Sequence, residues 1–150
     1  MSAEELRQKL YALCGRSVVC RRAADYYVEV LQNPCYPPAV KLTKKALHYY
    51  MEFVKKYGWP HCDVKTLVEE RLRGTWLERY IGEIAELAEL IRRQLRVTSR
   101  VAAAAATILV AERRGLKIVR GSVAAYFKAS DVAVRACLKR VYASYSTTKT

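Results

Sequence analysis

The stretch SRVAAAAATILVAERR, residues 99–114, decides the fold. It opens at Thr98 or Ser99, whose hydroxyls can accept from the orphan N–H groups of a first helical turn. It stops at Gly115, the residue type that takes the left-handed turn past a helix end. Its five consecutive alanines, Ala102 to Ala106, have the highest helix propensity of any residue. A helix apolar on every side is buried on every side, and one surfaced by methyl groups lets its neighbours approach closely. The stretch therefore reads as the central helix of an all-α bundle.

Working outward, the signals stay helical. Ser2 with Glu5 reads as a capping box opening a helix to about Cys14. A second helix runs from about Val18 to Leu31, with Ala24, Tyr27, Val28 and Leu31 at helical spacing. Pro34, Pro37 and Pro38 break the chain, because proline removes a donor and fixes φ. A third helix, 41–57, carries the stripe Leu42, Ala46, Tyr49, Tyr50 and Phe53. Asp63 caps a helix to Leu72, and Thr75 with Glu78 reads as a capping box for a long helix to Arg96. Beyond the central helix follow a short helix, Arg120 to Lys128, a turn at Ala129-Ser130, and a last helix from Asp131 to about Tyr145. The expected organisation is a helical extension over 1–60 and a helical domain over 61–150.

The charge is unevenly spread. The net charge is +13; residues 91–150 hold 13 Lys/Arg against Glu112 and Asp131, while the first 90 residues hold 14 against 12. Such an asymmetric field attracts polyanions, and nucleic acid is the usual partner. The longest apolar run, Val101 to Ala111, falls short of the ~20 residues a membrane span needs. The N-terminus MSAEELRQKL has no apolar segment of a secretory signal. A cytoplasmic protein without a membrane role is the expectation.

The five cysteines form no CxxC pair and find no histidine at ligand spacing, so no metal site is expected. Most read as small buried hydrophobes. Asn occurs once, Gln three times and Met twice, the depletion expected in a thermophile, where intracellular disulfides do occur. Cys14 and Cys20 are therefore candidates to pair with each other, or either of them with Cys35. Catalytic signals are poor: no Gly-rich phosphate loop, no Ser or Cys motif that would make His48 or His61 a general base, and Glu83, Glu86 and Glu89 spaced as a solvated helix face. A non-enzymatic protein without a cofactor is expected. The eleven tyrosines read as packing between helices rather than as base-stacking platforms.

A short helix, a brief turn and a longer basic helix make up a DNA-reading helix-turn-helix. By helical period, Val134, Cys137, Leu138, Val141 and Tyr145 face the core, and Val132, Arg135, Ala136 and Lys139 face outward, with Arg140 at the margin. Arg can bond guanine O6 and N7 together, and Val can touch a thymine methyl. The candidate nucleic-acid contacts are Val132, Arg135, Lys139, Arg140, Lys128, Arg120, Arg113 and Arg100, with duplex DNA the favoured target.

Three motifs in order carry a family resemblance: RVAAAAATILVA at 100–111, VAAYFK at 123–128, and ASDVAVR at 129–135. The stretch from about Trp76 to Tyr145 resembles a cyclin-box repeat of the archaeal transcription factor B / TFIIB family. The resemblance implies a cyclin-like five-helix bundle ending in the helix-turn-helix, with 76–96, 99–114, 120–128 and 131–145 as its last four helices. Either 63–72 or 41–57 would be the first. It implies promoter contacts at Val132 and Arg135, and a protein partner in the transcription machinery. The chain departs from the family pattern at Ala133, where the family has Thr, at Lys128, where it has a turn Gly, and at Val119-Arg120, where it has Thr-Gln. No zinc-ribbon pattern occurs in these residues, which points to a reduced relative, a regulator, or a cyclin-box protein with another target, such as an adaptor for a protein partner.

Overall fold

In the computed structural model the chain forms two compact units, Met1–Cys62 and Asp63–Thr150. The structure describes the backbone of residues 1–148 and the side chains of residues 1–144; among them are eight α-helices and no strand. Among the described residues, no helix is long and apolar enough to cross a membrane.

The first unit holds α1 (Ala3–Cys14), α2 (Val18–Gln32) and α3 (Lys44–Tyr57). Each begins on a hydroxyl: Ser2, Ser17 and Thr43 accept from the N–H three residues on, at 3.1, 3.1 and 3.2 Å. Thr43 therefore starts α3 three residues later than the apolar stripe suggested, and Leu42 packs half-buried against the core from outside the helix. That core is built from Leu10, Ala23, Ala24, Tyr27, Phe53 and Val54. Tyr27 is fully buried; its hydroxyl donates to the Gly58 carbonyl at 2.6 Å, and burial pushes its pKa up. Its ring meets Tyr50 edge-on at 5.7 Å, and Tyr26 meets Tyr50 at 5.4 Å.

Two disulfides staple this unit. Cys14 bonds Cys20 across the turn between α1 and α2, and Cys35 bonds Cys62, with Cα–Cα distances of 5.3 and 4.8 Å. Two expectations are corrected here. Cys35 pairs with neither Cys14 nor Cys20, because the turn at Gly15 already brings those two within bonding distance. The cysteines are also not mostly free, since the free one is Cys137.

The second unit holds α4 (Val64–Leu72), a 3₁₀ turn (Glu78–Tyr80), α5 (Ile81–Leu95), α6 (Ser99–Arg113), α7 (Arg120–Tyr126) and α8 (Asp131–Thr148). Helix α6 packs against α4, α5, α7 and α8, and all five of its consecutive alanines are at 0 % exposure. Of its two buried hydroxyl residues, Ser99 and Thr107, Thr107 donates to the Ala103 carbonyl at 2.7 Å. Capping by Asp63 and Thr98 starts α4 and α6 where the sequence placed them.

Two boundaries differ. Thr75 does not cap α5: its hydroxyl donates to the Leu72 carbonyl at 2.7 Å and accepts from Leu77 N–H, while Glu78 accepts from Gly74 N–H at 3.3 Å. Both side chains close the turn after α4, so α5 begins only at Ile81. Helix α7 ends at Tyr126 rather than Lys128, because Phe127 turns into the core, where it is fully buried.

Candidate nucleic-acid interface

Between α7 and α8 the chain turns over four residues, 127–130. Lys128 N–H donates to Ala125 carbonyl and Ala129 N–H to Ala124 carbonyl, both at 2.9 Å, which is the paired C-terminal closure of a helix. That closure needs a left-handed residue, and Lys128 supplies it at φ 54°. Arg100, at the start of α6, donates to the Lys128 carbonyl at 3.2 Å. Ser130 then caps α8 by accepting from Ala133 N–H at 3.3 Å.

Helix α8 divides as its period requires. Val134, Cys137 and Leu138 are buried and Val141 is half-buried; burying side chains of this kind is worth about 1.5–3 kcal/mol each. Tyr145, expected on the same side, lies outside the described side chains. On the other side Val132 is 75 % exposed, and Arg135, Ala136, Lys139 and Arg140 are exposed with it. The outward face is a narrow apolar strip, Val132, Ala136 and Ala143, flanked by bases.

The remaining candidate bases fall into different surroundings. Arg120 grips Glu112 with two N–H groups, at 2.7 and 2.8 Å, and also donates to the Tyr142 hydroxyl at 3.4 Å. This fork holds the Glu112 carboxyl below the usual range and raises the pKa of Arg120. Arg113 and Arg114 share Glu83, at 3.3 and 2.8 Å. Arg135 pairs with Asp131 at 2.8 Å, one turn away and exposed; such a pair is worth only about 0.3–0.5 kcal/mol, so a phosphate or a base edge can replace it. Arg100 and Arg113 stand at opposite ends of α6, about 20 Å apart by helical rise. The structure thus gathers Arg100, Lys128, Val132 and Arg135 near the start of α8. Arg120 lies near Tyr142, and Arg113 is joined to an acidic partner.

The Asp131–Arg135 pair, spaced i, i+4, is legible in the local pattern. The counter-ions of Arg113, Arg114 and Arg120, and the clamp between Arg71 and Tyr126, whose residues stand 55 apart in the chain, leave no local mark. The charge, divided by unit, also reads differently: residues 1–62 hold ten Lys/Arg against five Asp/Glu, so the first unit is basic in its own right. The acids concentrate in residues 63–90, seven against four bases.

His48 pairs with Glu52 on the surface at 3.3 Å, and among the described residues no cluster of side chains is arranged to hold a metal. Comparison with family models, with curated proteins and with solved structures finds no match to this chain.

Proposed function

We propose that the protein binds nucleic acid, with duplex DNA preferred, through a helix-turn-helix formed by α7 and α8. In this reading the second unit is a cyclin-like bundle and the protein is a transcription-factor-B-like regulator without enzymatic activity. The observation that carries it is the two-sided character of α8. One face is buried in the bundle, and the other exposes Val132, a large apolar side chain, among Arg135, Lys139 and Arg140. An apolar residue at 75 % exposure on the leading turn of a basic helix has a use in a major groove, where thymine methyl groups lie beside guanine acceptors. Arg135 would read base edges, while Lys139, Arg140, Lys128 and Arg100 would contact phosphates.

The net charge of residues 1–62 favours a second reading, a sequence-independent binder whose contacts are spread over both units. Gel shifts on duplex DNA, single-stranded DNA and RNA at two salt concentrations separate the two. Under the first reading Arg135→Ala lowers affinity for a selected duplex about ten-fold or more, and Lys139→Ala weakens all duplexes alike and reduces the salt slope by about one. Equal losses from both variants on every nucleic acid favour the second. An absence of binding at low salt overturns both.

A further inference from the structure

The second unit contains a cavity of about 410 Å³ behind α7, large enough for a small organic molecule. Its walls are apolar: Leu72, Leu77, Ile118, Val123 and Phe127 line it. Three large apolar side chains that also line it are left in water, Trp76 at 61 %, Val119 at 68 % and Tyr126 at 41 % exposure. Isolated exposed hydrophobes need no explanation, but several converging on the mouth of one apolar pocket mark a binding surface.

The polar groups of the lining fix the chemistry of the occupant. Thr75 and Thr107 already spend their hydroxyls on the backbone carbonyls of Leu72 and Ala103, and the Tyr126 hydroxyl donates to the Arg71 carbonyl. The side-chain groups left over are Lys117, Ser122 and the Trp76 indole, none of which has a hydrogen bond or ion pair among the described residues. All three can donate, and one carries a positive charge. An apolar pocket whose unspent groups are donors is complementary to a flat apolar molecule that bears one anionic group.

We propose that this cavity is a binding site for a small aromatic or branched apolar anion, with the hydrocarbon body against Leu77, Val123 and Phe127 and the carboxylate or sulfonate at Lys117. The site stands whether or not the protein binds nucleic acid.

Two dyes of the same shape test it: anilinonaphthalene sulfonate, which is anionic, and N-phenyl-1-naphthylamine, which is neutral. The full chain is used with Trp59→Phe, so that Trp76 is the sole tryptophan and energy transfer from it reports on a dye in this cavity. Both dyes are expected to bind one to one and to quench Trp76. Lys117→Gln should weaken the anionic dye about three- to five-fold and leave the neutral one unchanged. Val123→Phe, which fills the cavity, should remove binding of both, with circular dichroism showing retained helix. Failure of both dyes to bind the folded protein overturns the site, as does binding that survives Val123→Phe. An equal response of both dyes to Lys117→Gln overturns the anionic specificity.

Discussion

Arg71 and Tyr126 hold each other from both ends. The guanidinium of Arg71 lies over the Tyr126 ring at 4.3 Å and donates to the Tyr126 carbonyl at 2.5 Å, and the Tyr126 hydroxyl donates back to the Arg71 carbonyl. The end of α4 is thereby tied to the end of α7, just before the turn that leads into α8.

Removing this clamp should cost stability in the second unit. Hydrogen bonds to a charged group contribute about 1.5–3 kcal/mol and an exposed cation–π contact about 0.5–1. Because Tyr126 is partly exposed, Arg71→Ala is expected to destabilise by about 1–2 kcal/mol and Tyr126→Phe by about half as much. Urea unfolding followed by Trp76 emission, in the Trp59→Phe background, measures both.

Lys128 presents the opposite case. A residue with a Cβ is strained at φ 54°, and glycine removes that strain at some cost in unfolded-chain entropy. Lys128→Gly should raise stability by about 0.5–1 kcal/mol, a shift of about 2–8 °C in Tm. The bond from Arg100 ends on the backbone carbonyl, so it survives the substitution. Thermal melts check the sign, and a fall in Tm would contradict the turn geometry.

Reduction should act almost wholly on the first unit. Loops of 6 and 27 residues are closed by the two disulfides. By chain entropy they are worth about 2 and about 3.5 kcal/mol, a large share for a unit this small. Denaturing alkylation without reductant should label one cysteine, Cys137, and with reductant five. Cys35→Ser should lower the melting temperature more than Cys14→Ser.

The Glu112–Arg120 fork sets a pH dependence. Because the folded pKa of Glu112 is depressed, its stabilising contribution is complete above the unfolded carboxyl value of about 4.3. It fades only as the pH falls through the lower folded value. Stability from this pair should therefore be flat across neutral pH and decline in acid. Glu112→Gln removes that acid dependence. It also frees Arg120 and deletes a negative charge, so it should tighten nucleic-acid binding by a few-fold at low salt. NMR titration of the Glu112 carboxyl and a gel shift measure the two effects.

Local signals in the sequence carried much of the fold. Ser2, Asp63 and Thr98 cap where their side chains can reach a free N–H, and the alanine run is buried because nothing polar projects from it. The two faces of α8 followed from period alone. What escaped was non-local or ambiguous. Thr75 and Glu78 match a capping box but serve the turn before it, since the same hydroxyl and carboxylate suit either helix end. Cys62 carries no local mark as the partner of Cys35, because the 27-residue loop between them closes only when α3 folds back. The engagement of Arg113 and Arg120 with Glu83 and Glu112 depends on helices that meet only in three dimensions.

The girth of α6 has a consequence for the whole second unit. Helices that meet over methyl groups lie near the lower limit of axial separation, about 8 Å. No rotamer offers an added carbon an exit from positions at 0 % exposure. A single larger residue at Ala103 or Ala104 would therefore displace an entire neighbouring helix. The alanine run acts as a caliper: its width sets the spacing of the outer helices, so a change of one methyl group there would be felt at the outward face of α8 without any contact to it.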